Sequence, residues 1–188
     1  MHKLILLASA SVVLALGSGC TASTIMARRI ADGTQEATAL ITVLAANQAG
    51  FEQVGQDSHV TLMQIRQTAA VTAFNAHNRP FGRWSQALQS HIDVLTRIRW
   101  NIATVEIEDG TLWLRRNAVV HHIDARIVTL AQIKAVADQL NQSMINPDAQ
   151  WASVPNQMTR VRALSTFETE DVGYFKAIIH ALRAQYSV

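Results

Sequence analysis

Apolar residues recur every three or four positions through most of this chain, the spacing of one buried face on an α-helix. A first stripe runs Leu40, Ile41, Leu44 and Gln48, with Phe51 and Val54 beside the glycines Gly50 and Gly55. Asp57 or Ser58 is placed to cap a second helix reaching about His77, with Leu62, Ile65, Ala69, Ala73 and Ala76 on one side. Asn78-Arg79-Pro80-Phe81-Gly82 then breaks the chain. Two longer seams follow. Trp84, Leu88, Ile92, Leu95, Ile98, Ile102 and Val105 define one; Val119, Ile123, Ile127, Leu130, Ile133, Ala137, Leu140 and Met144 define the other, with Asn117 as its cap. Pro147 and Pro155 open shorter pieces that direct Val154, Met158, Val161 and Leu164 inward. A last helix begins acidically at Glu168, Glu170 and Asp171, favourable at its positive end, and carries Val172, Phe175, Ile179, Leu182 and Tyr186. The pattern predicts a mainly α protein, a helical bundle of about five to six helices around two long central ones.

The join between those two helices, "TVEIEDGTLWLRR", admits three readings. With Asp109-Gly110 as a two-residue turn, Val105, Ile107, Leu112 and Leu114 share one face and the polar neighbours the other, which is a β-hairpin pattern. Gly110 would then need a positive φ, so Gly110→Val should strain it. A short helical turn is the second reading. It puts Glu106, Glu108 and Asp109 at a negative helix end and Arg115 and Arg116 at a positive one, both unfavourable. One continuous helix is the third, at the expense of placing Arg99, Glu106, Asp109 and Arg116 on the seam.

Near the N-terminus the pattern changes from periodic to continuous. His2 and Lys3 precede an uncharged apolar run from Leu4 to Leu16, and Gly17-Ser18-Gly19 leads to Cys20. Thirteen residues make about 20 Å of helix, too short for a hydrocarbon core of about 30 Å. A basic start, an apolar run and a small-residue patch are the parts of a secretory signal. With its terminal Gly19-Cys20 this segment resembles the signal of bacterial lipoproteins, whose lipobox ends in the cysteine that receives lipid. It departs from the usual box in having Gly17 three residues before the cysteine, with Leu16 one place further back. The resemblance covers about 22 residues and carries no fold information.

The resemblance implies cleavage before Cys20, a thioether to diacylglycerol there, and a membrane partner held through that lipid. Thr21 in place of the aspartate that retains enteric lipoproteins at the inner membrane implies the periplasmic face of the outer membrane. A soluble periplasmic protein is the alternative. The domains expected are a signal peptide over 1–19, a tether over 20–33 ended by the Asp32-Gly33 turn, and a helical domain over 34–188.

Composition narrows the chemistry. Cys20 is the only cysteine, so no intramolecular disulfide exists and packing must supply the stability. Sixteen basic residues against 14 acidic ones leave a net charge of +2, too small a field to point to nucleic acid. No phosphate-binding loop, dinucleotide fingerprint, nucleophile elbow or zinc-protease motif is present. No cofactor or metal is therefore expected and no catalytic residue is assigned. The repeated tripeptides His91-Ile92-Asp93 and His122-Ile123-Asp124, with His121, form the nearest thing to a ligand cluster. Residues i and i+2 on a helix point about 200° apart and do not converge on one ion. These positions read better as two buried isoleucines flanked by solvated polar neighbours. Of Trp84, Trp100, Trp113 and Trp151 most read as core or core rim, and Arg97/Arg99 and Arg160/Arg162 read as solvated faces. Two function classes stay open: a lipid-anchored envelope scaffold or assembly/secretion accessory with a protein partner, and a periplasmic cell-wall hydrolase or small-ligand binder with a non-motif site.

Overall fold

The computed structural model describes residues 2–70, 80–145 and 173–188. Four helices lie among them: α1 (His2–Ala70), α2 (Pro80–Ala103), α3 (Gly110–Ile145) and α4 (Tyr174–Tyr186). The first described side chain of α1 is Ile25. The mainly α class of the sequence reading is correct; its five to six helices are not what the described residues contain. Two expected helices merge in α1, which continues through Gly33, Gly50 and Gly55, and the expected turn at Asp32-Gly33 does not form. Each glycine weakens a helix by about 1 kcal/mol, an amount that the burial of one side chain such as Leu40 or Leu44 offsets. The pieces expected after Pro147 and Pro155, and the acidic start at Glu168 to Asp171, lie outside the described residues.

The inward positions of α1 are spaced alternately by three and four: Ala37, Leu40, Leu44, Asn47, Phe51, Val54, Ser58, Thr61 and Ile65. On α3 the same alternation runs Leu112, Arg116, Val119, Ile123, Arg126, Leu130, Ile133, Ala137 and Leu140. This is the spacing of left-handed coiled packing, in which side chains of one helix enter gaps on the next. α1 and α3 run antiparallel to α2, and the three meet around Leu44, Leu88, Leu95, Ile102, Ile123 and Leu140, all at most 2% exposed. Two polar residues on the α1 seam find partners on α2. Asn101 Nδ2 donates to Asn47 Oδ1 at 3.2 Å, and Ser58 Oγ lies 3.1 Å from His91 Nδ1. A polar residue inside such a seam is satisfied in one register only, so these pairs fix how α2 slides along α1.

α2 also pairs with α3 at two levels. Arg99 Nε donates to Asp124 Oδ1 at 2.5 Å, and the buried Ser85 hydroxyl donates to Asp138. Lys134 Nζ holds the other oxygen of Asp138 at 2.7 Å. Burial of Asp138 alone would raise its pKa, but the bonds from Lys134 and Ser85 outweigh that and hold the carboxyl below its ordinary value. α4 packs antiparallel to α1 beside α3 and buries Phe175, Ile179 and Leu182.

No strand occurs among the described residues, so the expected hairpin over the α2–α3 join is replaced by an irregular link. α2 ends with Thr104 N–H donating to Trp100 C=O at 3.1 Å and Val105 N–H to Ile102 C=O at 3.3 Å. Val105 and Ile107 then turn into the core rim while Glu106 and Glu108 stay exposed. The alternation that suggests a strand is that of an extended link laid over the bundle end. Gly110 opens α3 without a positive φ, and a Cβ there would meet nothing within 4 Å. The strain expected of Gly110→Val has no basis.

Candidate functional site

The densest polar network among the described residues binds that link to α1 and α4. Glu36 lies one turn past Gly33 on α1, and its two carboxylate oxygens accept the backbone N–H groups of Glu108 at 3.1 Å and Asp109 at 3.0 Å. Asp109 in turn caps α3: its Oδ1 accepts Thr111 N–H and Leu112 N–H, both at 2.9 Å. The Tyr186 hydroxyl of α4 donates to the same oxygen at 3.3 Å. Burial, then the negative charge and hydrogen bond of Asp109, push the Tyr186 phenol above its ordinary pKa. Arg116 sits near the positive end of its own helix, yet its Nη1 donates to Val105 C=O at 2.7 Å, just beyond the negative end of α2. α2 ends at Ala103, so Glu106, Glu108 and Asp109 lie beyond its negative end, and Asp109 sits instead at the positive end of α3.

Beside this network α1 and α4 leave an open groove of about 1020 Å³, lined by Ile25, Met26, Ile30 and Gly33 on one side and Tyr186 and Ser187 on the other. Ile25, Met26 and Ile30 are 57%, 68% and 66% exposed. Arg29 and Asp109 also line it. The carboxylates here are committed to backbone amides, so the arrangement anchors chain segments and presents an apolar surface; it does not assemble a nucleophile with a base.

Cys20, the residue assigned to lipid, precedes the first described side chain by five positions, and its thiol falls outside the described side chains. The three histidines diverge. His121 is exposed, His91 lies against Ser58 between α1 and α2, and His122 stacks on Tyr174 at 3.9 Å beside Phe51. His91 and His122 are thus half-buried packing residues rather than solvated flanks. No group of three metal-ligating residues occurs among the described residues. The tryptophans also separate: Trp84 packs edge-on to Phe81 and donates to Gln64 at 2.9 Å, whereas Trp100 and Trp113 are 64% and 46% exposed, which corrects the reading of most of them as core. Trp151, Arg160 and Arg162 lie outside the described residues. Glu36, Tyr186 and Ser58 were not legible as site residues, because each is a single polar position in a helical stretch and its partner lies more than 30 residues away.

The Ser58–His91 pair is the nearest approach to nucleophile chemistry, but Ser58 sits in the interior of α1, where its backbone N–H is spent on the helix and supplies no oxyanion donor. Its role is in stability. Burial lowers the His91 pKa below 6.5 against a smaller upward pull from Asp57, so the folded chain favours neutral imidazole. As pH falls through 6.5 the unfolded chain takes up this proton first, and stability is lost down to the folded pKa. His91→Gln should therefore differ from the wild type more at pH 7.5 than at pH 5, measured by urea midpoints. A difference that grows on acidification would refute this assignment.

Compared with protein-family models, with curated proteins and with solved structures, the chain matches none.

Proposed function

We propose that this is a lipid-anchored envelope protein whose helical domain acts as a scaffold or an assembly/secretion accessory through protein–protein contacts. The observation that carries the reading is the order of features along the first 30 residues. The apolar run Leu4–Leu16 leads to Cys20, and within ten residues the exposed Ile25, Met26 and Ile30 follow, interleaved with exposed Arg28 and Arg29. Apolar side chains beside arginines suit a segment that meets the acyl and headgroup region of a membrane held close by lipid. No helix searched among the described residues is long and apolar enough to cross a membrane. Two or three acyl chains, each buried CH₂ contributing about 0.8 kcal/mol, anchor stably where one is marginal.

From Ile25 to Ile65, α1 extends about 60 Å at 1.5 Å per residue. The bundle end marked by Ile65 and Phe81 would then stand well away from the bilayer, within reach of a partner. The outer membrane, periplasmic face, is the proposed site. Cys20→Ser is expected to leave an uncleaved precursor and abolish palmitate labelling while the helical circular dichroism is kept. Labelling that persists in the serine variant, or a mature N-terminus elsewhere than Cys20, would return the protein to the soluble periplasm.

A further inference from the structure

The inward seam of α1 runs on past the helices that cover it. Met26, Ile30 and Gly33 precede Ala37, Leu40 and Leu44 by the same alternation of four and three, so they belong to one face of the helix. At Gly33 that face is still covered: a Cβ there would lie 3.7 Å from the Tyr186 ring and 3.9 Å from Asp109 Oδ2. Over the two preceding turns it is bare, with Ile30 and Met26 exposed, and this uncovered part of the seam is one wall of the groove. Two groups of opposite charge also line it, and they are not paired with each other. Among the described residues the Arg29 guanidinium makes no ion pair or hydrogen bond, and Asp109 accepts through Oδ1 alone, which leaves Oδ2 with no donor. We propose that the groove is a site for one phospholipid of the ethanolamine type, with its phosphate on Arg29, its primary ammonium on Asp109 Oδ2 and an acyl chain along Ile25, Met26 and Ile30.

The lining selects that occupant. The backbones of α1 and α4 are spent within their helices, so an extended peptide would find no main-chain partners along either wall. Hydrocarbon needs none, and covering Met26 and Ile30 removes from water apolar surface that the bundle leaves exposed. An arginine and a carboxylate that share a groove without pairing fit a ligand carrying both signs: a phosphate for the guanidinium fork and an N–H cation for the carboxylate oxygen. A choline head has no N–H to donate, and a glycerol head has no cation. The order along α1 fits as well. Ile25 and Met26 come first after the apolar run Leu4–Leu16, and Asp109 and Tyr186 meet the helix at Gly33, about 10 Å beyond Met26. A phospholipid whose chains point toward the bilayer then has its head at the bundle end. The groove's volume, about 1020 Å³, is at the upper end of the range for small-molecule sites. The source of this ligand rests on the membrane reading above; the chemistry of the site does not.

The test uses the full-length chain carrying Cys20→Ser, which keeps the Leu4–Leu16 run, in phosphatidylcholine vesicles doped with a trace of one probe lipid. The probes share a photoactivatable acyl chain and differ in the head: ethanolamine, choline or glycerol. Labelling of residues 25–30, scaled to labelling of residues 4–16, should be about tenfold higher with the ethanolamine probe than with either other head, the scale of one hydrogen bond between charged groups. Arg29→Gln should reduce that labelling by a similar factor and leave the urea midpoint without lipid unchanged, since no bond among the described residues uses Arg29. Labelling that is equal for the three heads would mean contact with the bilayer only, and labelling highest with choline or glycerol would mean that Asp109 takes no part. Absence of labelling at residues 25–30 would mean that something other than lipid covers the groove. Each of these results overturns the site, as does an ethanolamine preference that survives Arg29→Gln. Palmitate labelling of the wild type decides the anchor separately, so failure of the groove and failure of the anchor are told apart.

Discussion

Phe51→Ala is expected to lower stability by about 3–5 kcal/mol. Phe51 is 2% exposed at the point where α1, α3 and α4 meet. Its ring stacks on Phe175 with centroids 4.5 Å apart and planes 11° apart, and lies 6.0 Å from His122 and 6.5 Å from Tyr174. His122 and Tyr174 stack on each other at 3.9 Å, so four rings from three helices form one contact. Removing the central ring forfeits the area it buries and leaves a cavity that the long helices cannot close by moving independently. α4 has 13 residues, too few to be stable as a helix without packing, and Phe175 is one of its three buried side chains. The loss should therefore appear first in α4, as faster amide exchange over residues 174–186 and a weaker near-ultraviolet signal. The urea midpoint should fall with it. Phe51→Leu keeps most of the volume and should cost under about 1.5 kcal/mol. A loss below 1 kcal/mol for the alanine variant would mean that α4 is held elsewhere.

The helical class and the inward seams of α2 and α3 were legible because periodicity reports a helix's buried face directly. Leu88, Leu95, Ile102, Val119, Ile123 and Leu140 are buried where the spacing placed them. What sequence could not settle was decided by partners distant in the chain. Gly50 and Gly55 look like the end of one helix and Ser58 like the cap of the next until packing carries α1 through all three and His91 meets Ser58, so one helix was read as two. Arg126, 6% exposed, occupies an inward position of α3 that apolar periodicity assigns to its neighbour Ile127. The α2–α3 join was misread for the same reason. Its alternation favoured a hairpin, and nothing local indicates that Glu36 supplies the acceptors a second strand would have supplied.

Glu36 and Asp109 hold the bundle end together in series, and their removal should be costly and less than additive. Glu36→Ala leaves the amides of Glu108 and Asp109 without a charged acceptor, and a hydrogen bond to an ionised group contributes about 1.5–3 kcal/mol. Asp109→Ala removes the cap from α3 and the acceptor for Tyr186, which should cost about 1–2 kcal/mol. Both carboxylates serve the same link, so once either is gone the backbone of residues 106–109 can leave its position and the other bond is largely lost with it. A double-mutant cycle by urea unfolding should therefore give a coupling of about 0.5–3 kcal/mol between the two positions. Glu36→Gln separates charge from geometry: one amide oxygen still accepts, so about half the loss should return. Gly33, Asp109 and Tyr186 line the groove, so its shape should change in either alanine variant. Tyr186 then loses the carboxylate that helps raise its phenol pKa, and the ultraviolet titration of Asp109→Ala should move to lower pH. Strictly additive losses, with an unmoved tyrosine titration, would show that the two carboxylates act on separate parts of the molecule.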